Sequence, residues 1–70
     1  MTRQSVSSSN LRSVGYDNPS STLEIEFNSG SIYQYSSVPA NVHVSLMRAS
    51  SHGTYFNANI KNVYRFRQIK

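Results

Sequence analysis

The chain has no cysteine and no tryptophan, and it holds only three acidic residues, three glycines and two prolines. Without cysteine there is no disulfide framework and no thiolate metal site, so nothing in the composition points to secretion. No apolar run approaches the roughly 18 residues a spanning helix needs. Between Val38 and Met47 the apolar residues are interrupted by Pro39, Asn41, His43 and Ser45. Residues 1–10 lack the apolar core of about 7–15 residues that marks a signal peptide. The Asn18 sequon is invalid because Pro19 follows it. These absences give the expectation of a cytoplasmic protein with no membrane partner.

What remains is a short chain rich in serine, asparagine and tyrosine. Seventy residues suffice for one domain, residues 1–70, with a thin stability margin. Hydrophobic residues at 37% and charged residues at 14% are low for a folded domain. Disordered chains, however, combine low hydrophobicity with few aromatics. Here five Tyr and three Phe fall in periodic segments, which argues for a fold.

Residues 1–8 read as a partly ordered arm or a short edge strand. Leu11 to Asp17 predicts a strand with Val14 and Tyr16 on one face and Leu11, Ser13 and Gly15 on the other. Asp17-Asn18-Pro19-Ser20 is a turn. In residues 22–28, Leu23, Ile25 and Phe27 alternate with Glu24 and Glu26, the period-two pattern of a half-buried strand. A third strand spans Ser31 to Ser36. The turn between them fixes its register. A three-residue loop wants glycine at its third position, where Gly30 stands, and it sets Tyr33 opposite Ile25 and Tyr35 opposite Leu23. A two-residue loop would move both tyrosines to the polar face, but Ser29 suits its first position poorly.

Pro39 opens a helix over residues 39–51, with Val42, Leu46 and Met47 as its apolar stripe and Gly53 as its stop. A second short helix starts near Thr54, which caps it while Phe56 packs with Ile60. Tyr64 to Ile69 alternates again and closes the chain as a strand. The predicted core is Val14, Tyr16, Leu23, Ile25, Phe27, Tyr33, Tyr35, Val42, Leu46, Met47, Phe56, Ile60 and Phe66. The fold class is thus α+β: a three-stranded antiparallel meander plus a closing C-terminal strand, packed on one main helix and a second short one.

Ser8-Ser9-Asn10-Leu11, Ser13-Val14-Gly15-Tyr16-Asp17 and Leu23-Glu24-Ile25-Glu26-Phe27 with Gly30 and Tyr33-Gln34-Tyr35 stand in a specific order. Val38-Pro39, Leu46-Met47, Ser51-His52-Gly53-Thr54-Tyr55-Phe56-Asn57 and Ile60-Lys61 continue it. In that order and spacing the chain resembles the KTSC domain, a family named after the C-terminal domain of some lysyl-tRNA synthetases. The resemblance implies a free-standing bacterial member without an established activity, for which RNA binding is the common suggestion. Two positions depart from the pattern. His43 replaces a larger aromatic, and His52 replaces a lysine, which carries more positive charge than histidine at neutral pH.

The net charge is +4, and the sequence pI is about 9.9. Four of the seven cations, Lys61, Arg65, Arg67 and Lys70, lie in the last ten residues, whereas all three acids lie between Asp17 and Glu26. One reading is a phosphate-binding edge. The other places Arg65 and Arg67 across from Glu24 and Glu26 on one sheet face, spending the charge within the chain. Tyr33 and Tyr35 are either core or a platform on which RNA bases stack. The turn argument favours core. Tyr55 and Arg12 complete the candidate nucleic-acid-binding set of Arg12, Lys61, Arg65, Arg67, Tyr55, Tyr33 and Tyr35.

Catalysis is not expected. His43 and His52 have too few companion ligands for zinc, His43 being a helix-face residue and His52 a helix C-terminal one. Ser51 beside His52 lacks an orienting third group, and Glu24 and Glu26 share a flat face that offers no desolvation. No cofactor motif is present. The expected function is a weak, backbone-directed RNA-binding module, for tRNA or single-stranded RNA. The alternative is a protein-interaction module docking on a larger partner.

Overall fold

A computed structural model covers residues 1–70. The elements run β1 (Arg3–Ser5), β2 (Leu11–Asp17), β3 (Thr22–Phe27), β4 (Ile32–Tyr35), α1 (Ala40–Arg48), α2 (His52–Asn59) and β5 (Phe66–Gln68). All five strands form one antiparallel sheet in the order β1-β2-β3-β4-β5. The α+β class holds, and the N-terminal residues contribute a fifth, edge strand. The core is one cluster joining Leu11, Val14, Leu23, Ile25 and Tyr35 of the sheet to Val38, Leu46, Phe56 and Ile60. No helix is long and apolar enough to cross a membrane.

The β3–β4 turn has the expected register. Gly30 sits at φ 97°, in the left-handed region that a three-residue loop requires at that place. Gly30 N–H donates to the Phe27 carbonyl at 2.9 Å, and Phe27 N–H donates to the Ser31 carbonyl at 2.9 Å. Leu23 accordingly pairs with Tyr35, and Ile25 with Tyr33.

Strand β2 departs from simple alternation. A bulge between Leu11 and Ser13 inserts Arg12 as an extra residue. The parity of the strand flips there, so Leu11 joins Val14 in the core instead of sharing a face with Ser13 and Gly15. Period two cannot register an inserted residue.

Helix α1 is shorter than expected. Pro39 is its N-cap at φ −63° and ψ 149°, and Ala49 leaves helical geometry at ψ 140°. Gly53 is not a helix stop. It lies in the first turn of α2 and abuts the Asn10 side chain so closely that a Cβ would overlap it. The cap of α2 is Ser51, not Thr54: its Oγ accepts from the Thr54 N–H at 3.3 Å. His52 therefore starts α2, yet it also serves the end of α1, since its Nδ1–H donates to the Leu46 carbonyl at 2.8 Å.

Phe66 is a further correction. It was expected in the core and is 51% exposed. Strand β5 is an edge with all three residues exposed. Val63 lies beyond the end of α2 and is exposed as well.

Candidate nucleic-acid interface

On the face away from the helices one cross-strand row runs Arg3, Gly15, Glu24, Gln34, Arg67. Gly15 has no side chain to obstruct this row. A Cβ there would sit 3.0 Å from Arg3 Cγ and 3.1 Å from Met1 Sδ. Arg3 thus crosses to the Glu24 carboxylate and forms an ion pair with it. Gln34 Nε2 donates to the other Glu24 oxygen at 2.8 Å. Glu24 is only 5% exposed, so the face expected to offer no desolvation does bury a carboxylate. Burial raises its pKa, but the hydrogen bonds from Gln34 and Arg3 and the Arg3 charge outweigh that and hold it below the ordinary value of 4.5.

Glu26 is occupied in the same way. Ser13 Oγ donates to it at 2.8 Å, and Arg12 stands 4.0 Å away. Arg12 also donates to the Asn28 carbonyl at 3.2 Å. The open question of Arg65 and Arg67 is thereby answered. The two glutamates pair with Arg3 and Arg12, and the cations of the last ten residues have no ion-pair partner. Arg67 faces Gln34 at the end of the row, beyond the reach of a free carboxylate.

The helix side of the same edge carries a cleft of about 560 Å³. Five aromatic rings form a closed circuit around it. Phe27 meets Tyr33 edge-on at 5.6 Å, Tyr33 meets Phe66 at 5.6 Å, and Phe66 meets Tyr35 at 5.7 Å. Tyr35 then meets Phe56 at 5.6 Å, and Phe56 returns to Phe27 at 5.4 Å. Tyr33 and Tyr35 stack across the circuit at 6.4 Å and 22°. The tyrosine pair is therefore core-packed and cleft-lining at once. The Tyr33 hydroxyl donates to Gln68 Oε1 at 3.2 Å.

Lys61 is the one charged residue lining the cleft. It follows the end of α2, where its N–H donates to the Phe56 carbonyl at 2.9 Å. Asn62, at φ 64°, then turns the chain toward β5. The structure thus brings together Tyr33, Tyr35 and Lys61, sets Arg65 and Arg67 at the neighbouring edge, and leaves Arg12 and Tyr55 elsewhere. Tyr55 packs against the core and borders a separate shallow groove with Ala49 and Ala58. Phe27, Phe56 and Phe66 were missed as cleft residues. Their hydrophobicity marked them as core, whereas Phe27 is half-buried, Phe66 is exposed, and buried Phe56 still borders the cleft.

No three His, Asp or Glu side chains converge anywhere in the chain. The fold and cleft define a small sheet-and-helix domain with an aromatic groove beside a basic edge strand. Residues 7–64 match the KTSC domain, and the chain belongs to that family. An uncharacterised protein of Stutzerimonas stutzeri is 44% identical over 70 residues, which cover 99% of either chain. A lysine–tRNA ligase of Nostoc punctiforme is 41% identical over 59 residues, covering 84% of this chain and 10% of the ligase. The crystal structure of a KTSC domain protein from Yersinia pestis superposes with a TM-score of 0.96 at 42% identity, covering 99% of this chain and 97% of that one.

Proposed function

We propose that this chain is a non-catalytic RNA-binding module that grips phosphates along its C-terminal edge. The observation that carries the reading is the pairing of Glu24 and Glu26 with Arg3 and Arg12, which leaves Lys61, Arg65, Arg67 and Lys70 without acidic partners. Unpaired cations on an exposed edge attract a polyanion by releasing its counterions. The occurrence of a related segment in lysine–tRNA ligases supports a tRNA as the partner, with single-stranded RNA as the alternative. Titration of labelled tRNA and single-stranded RNA at two salt concentrations tests it. Binding that weakens steeply with salt is the expected result, and absence of binding at low salt overturns the reading.

A second reading, docking on a larger protein, is favoured by the exposure of Val63, Phe66 and Ile69 around the same edge. A single protein partner that survives nuclease treatment in a pull-down would replace the RNA reading with this one.

A further inference from the structure

Resting on the RNA reading above, we propose that the aromatic cleft seats one unpaired nucleobase, with Lys61 meeting the phosphate attached to it. The cleft has a volume suited to a small planar ligand. Its rings present faces and edges already fixed by mutual contact, so little ordering is needed when a base enters. Phe66 is the exposed ring of the five, and base–aromatic stacking accepts any of the four bases.

The polar groups of the cleft point the same way. Lys61 is its single charge and no acid borders it, a balance that suits a phosphate. Tyr35 is only 4% exposed, and its hydroxyl makes no hydrogen bond within the chain. No buried side-chain oxygen or nitrogen lacks a partner, so that hydroxyl is solvent-reached, and Tyr35 borders the cleft. It is a donor and acceptor held ready for a base edge. Asn57 and Asn62, at the rim, carry amides with no partner in the chain and supply both donors and acceptors. A duplex hides its bases and cannot use such a cleft, whereas a single strand can splay one out.

The ligand chemistry is that of a nucleoside phosphate, available as a free mononucleotide or as one residue of an RNA strand. The experiment follows the backbone amide resonances of the full chain during titration with UMP, AMP, a single-stranded RNA decamer and an RNA duplex. Affinities of Phe66→Ala, Phe66→Leu, Tyr35→Phe and Lys61→Ala are compared with the wild type. Phe66 is exposed, so its variants fold, and the leucine variant separates loss of the ring from loss of apolar volume.

The expected result is decamer-induced shifts at Asn57, Lys61 and Phe66, with about tenfold weaker decamer binding in both Phe66 variants. Duplex binding is indifferent to Phe66, and Lys61→Ala lowers the salt slope by about one. Cleft shifts with UMP or AMP in a protein that binds no RNA uphold the site with a free nucleotide as its occupant and overturn the RNA reading. RNA binding that leaves the cleft resonances unmoved and Phe66→Ala unimpaired overturns the site and leaves the RNA reading standing. No binding of any nucleotide or RNA overturns both.

Discussion

Arg3 reaches across Gly15 to close on the carboxylate of Glu24, joining the first strand of the sheet to the third on the face opposite the helices. This contact removes one carboxylate from the cations at the other end of the chain. It also makes a short edge strand part of the electrostatic structure. Arg3→Ala leaves Glu24 buried with only Gln34 as a side-chain donor, and the expected cost is about 1–3 kcal/mol in urea unfolding.

The same carboxylate gives an acid dependence. Its folded pKa lies below the ordinary 4.5. The stability it contributes is therefore complete above that value and is lost as the pH falls through the lower folded value. Unfolding free energies measured across this acid range should fall less steeply in Glu24→Gln than in the wild type. Identical slopes would remove Glu24 from the acid response.

A regular β2 would set Leu11 on the face of Ser13 and Arg12 on the core face of Val14, and the bulge reverses both. Leu11→Ala opens the core and should cost about 2–5 kcal/mol. Arg12→Ala loses an exposed pair and an exposed hydrogen bond to the Asn28 carbonyl and should cost less than about 1 kcal/mol. Equal losses in denaturant titrations would contradict the bulged register.

His43 stacks on Tyr16 with ring centroids 4.8 Å apart and an interplanar angle of 8°, and Tyr16 is anchored by its hydroxyl to the Val38 carbonyl at 2.5 Å. Burial lowers the His43 pKa below the ordinary 6.5. A proton taken up here favours the unfolded chain, so stability is complete above 6.5 and declines as the pH falls through the folded value. Imidazole resonances followed by NMR should place the His43 midpoint below 6.5. A midpoint at or above that value would show the ring to be solvated.

Tyr35 responds at the alkaline end. Burial, followed by the charge of Tyr33, pushes its phenol up to about 12. The folded protein keeps the proton longer than the unfolded chain does, so stability is complete below the ordinary value of 10 and declines as the pH rises through about 12. Absorbance titration of the phenolates should show one tyrosine lagging, absent in Tyr35→Phe. If every phenol titrates together near 10, the ring is not buried.

Much of the sheet was legible because its signals are local. Leu23, Ile25 and Phe27 alternate without interruption, and Gly30 alone selects the loop that puts Tyr33 and Tyr35 beside them. The helix limits were not legible to the same degree. Gly53 read as a stop because glycine ends helices, but here it serves the close approach of Asn10, a residue more than forty positions away. Phe66 read as core because its alternation is sound. What alternation lacks is any statement that β5 would lie at the exposed edge of the sheet.

The candidate site shows the same division. Composition set the basic excess, since charge is additive, and residue order alone placed four of the seven cations in the last ten residues. The family resemblance, too, rests on residue order alone. Whether Arg65 and Arg67 are spent on Glu24 and Glu26 depended on which cation lies across from which acid, a question of strand order. The tertiary structure decided it by bringing Arg3 and Arg12 to those acids first. It also decided that five aromatic rings, each a core residue by its neighbours in sequence, meet around one cleft between the sheet and α2. Burial is a property of what lies above a side chain, and that is set by the packing of distant segments.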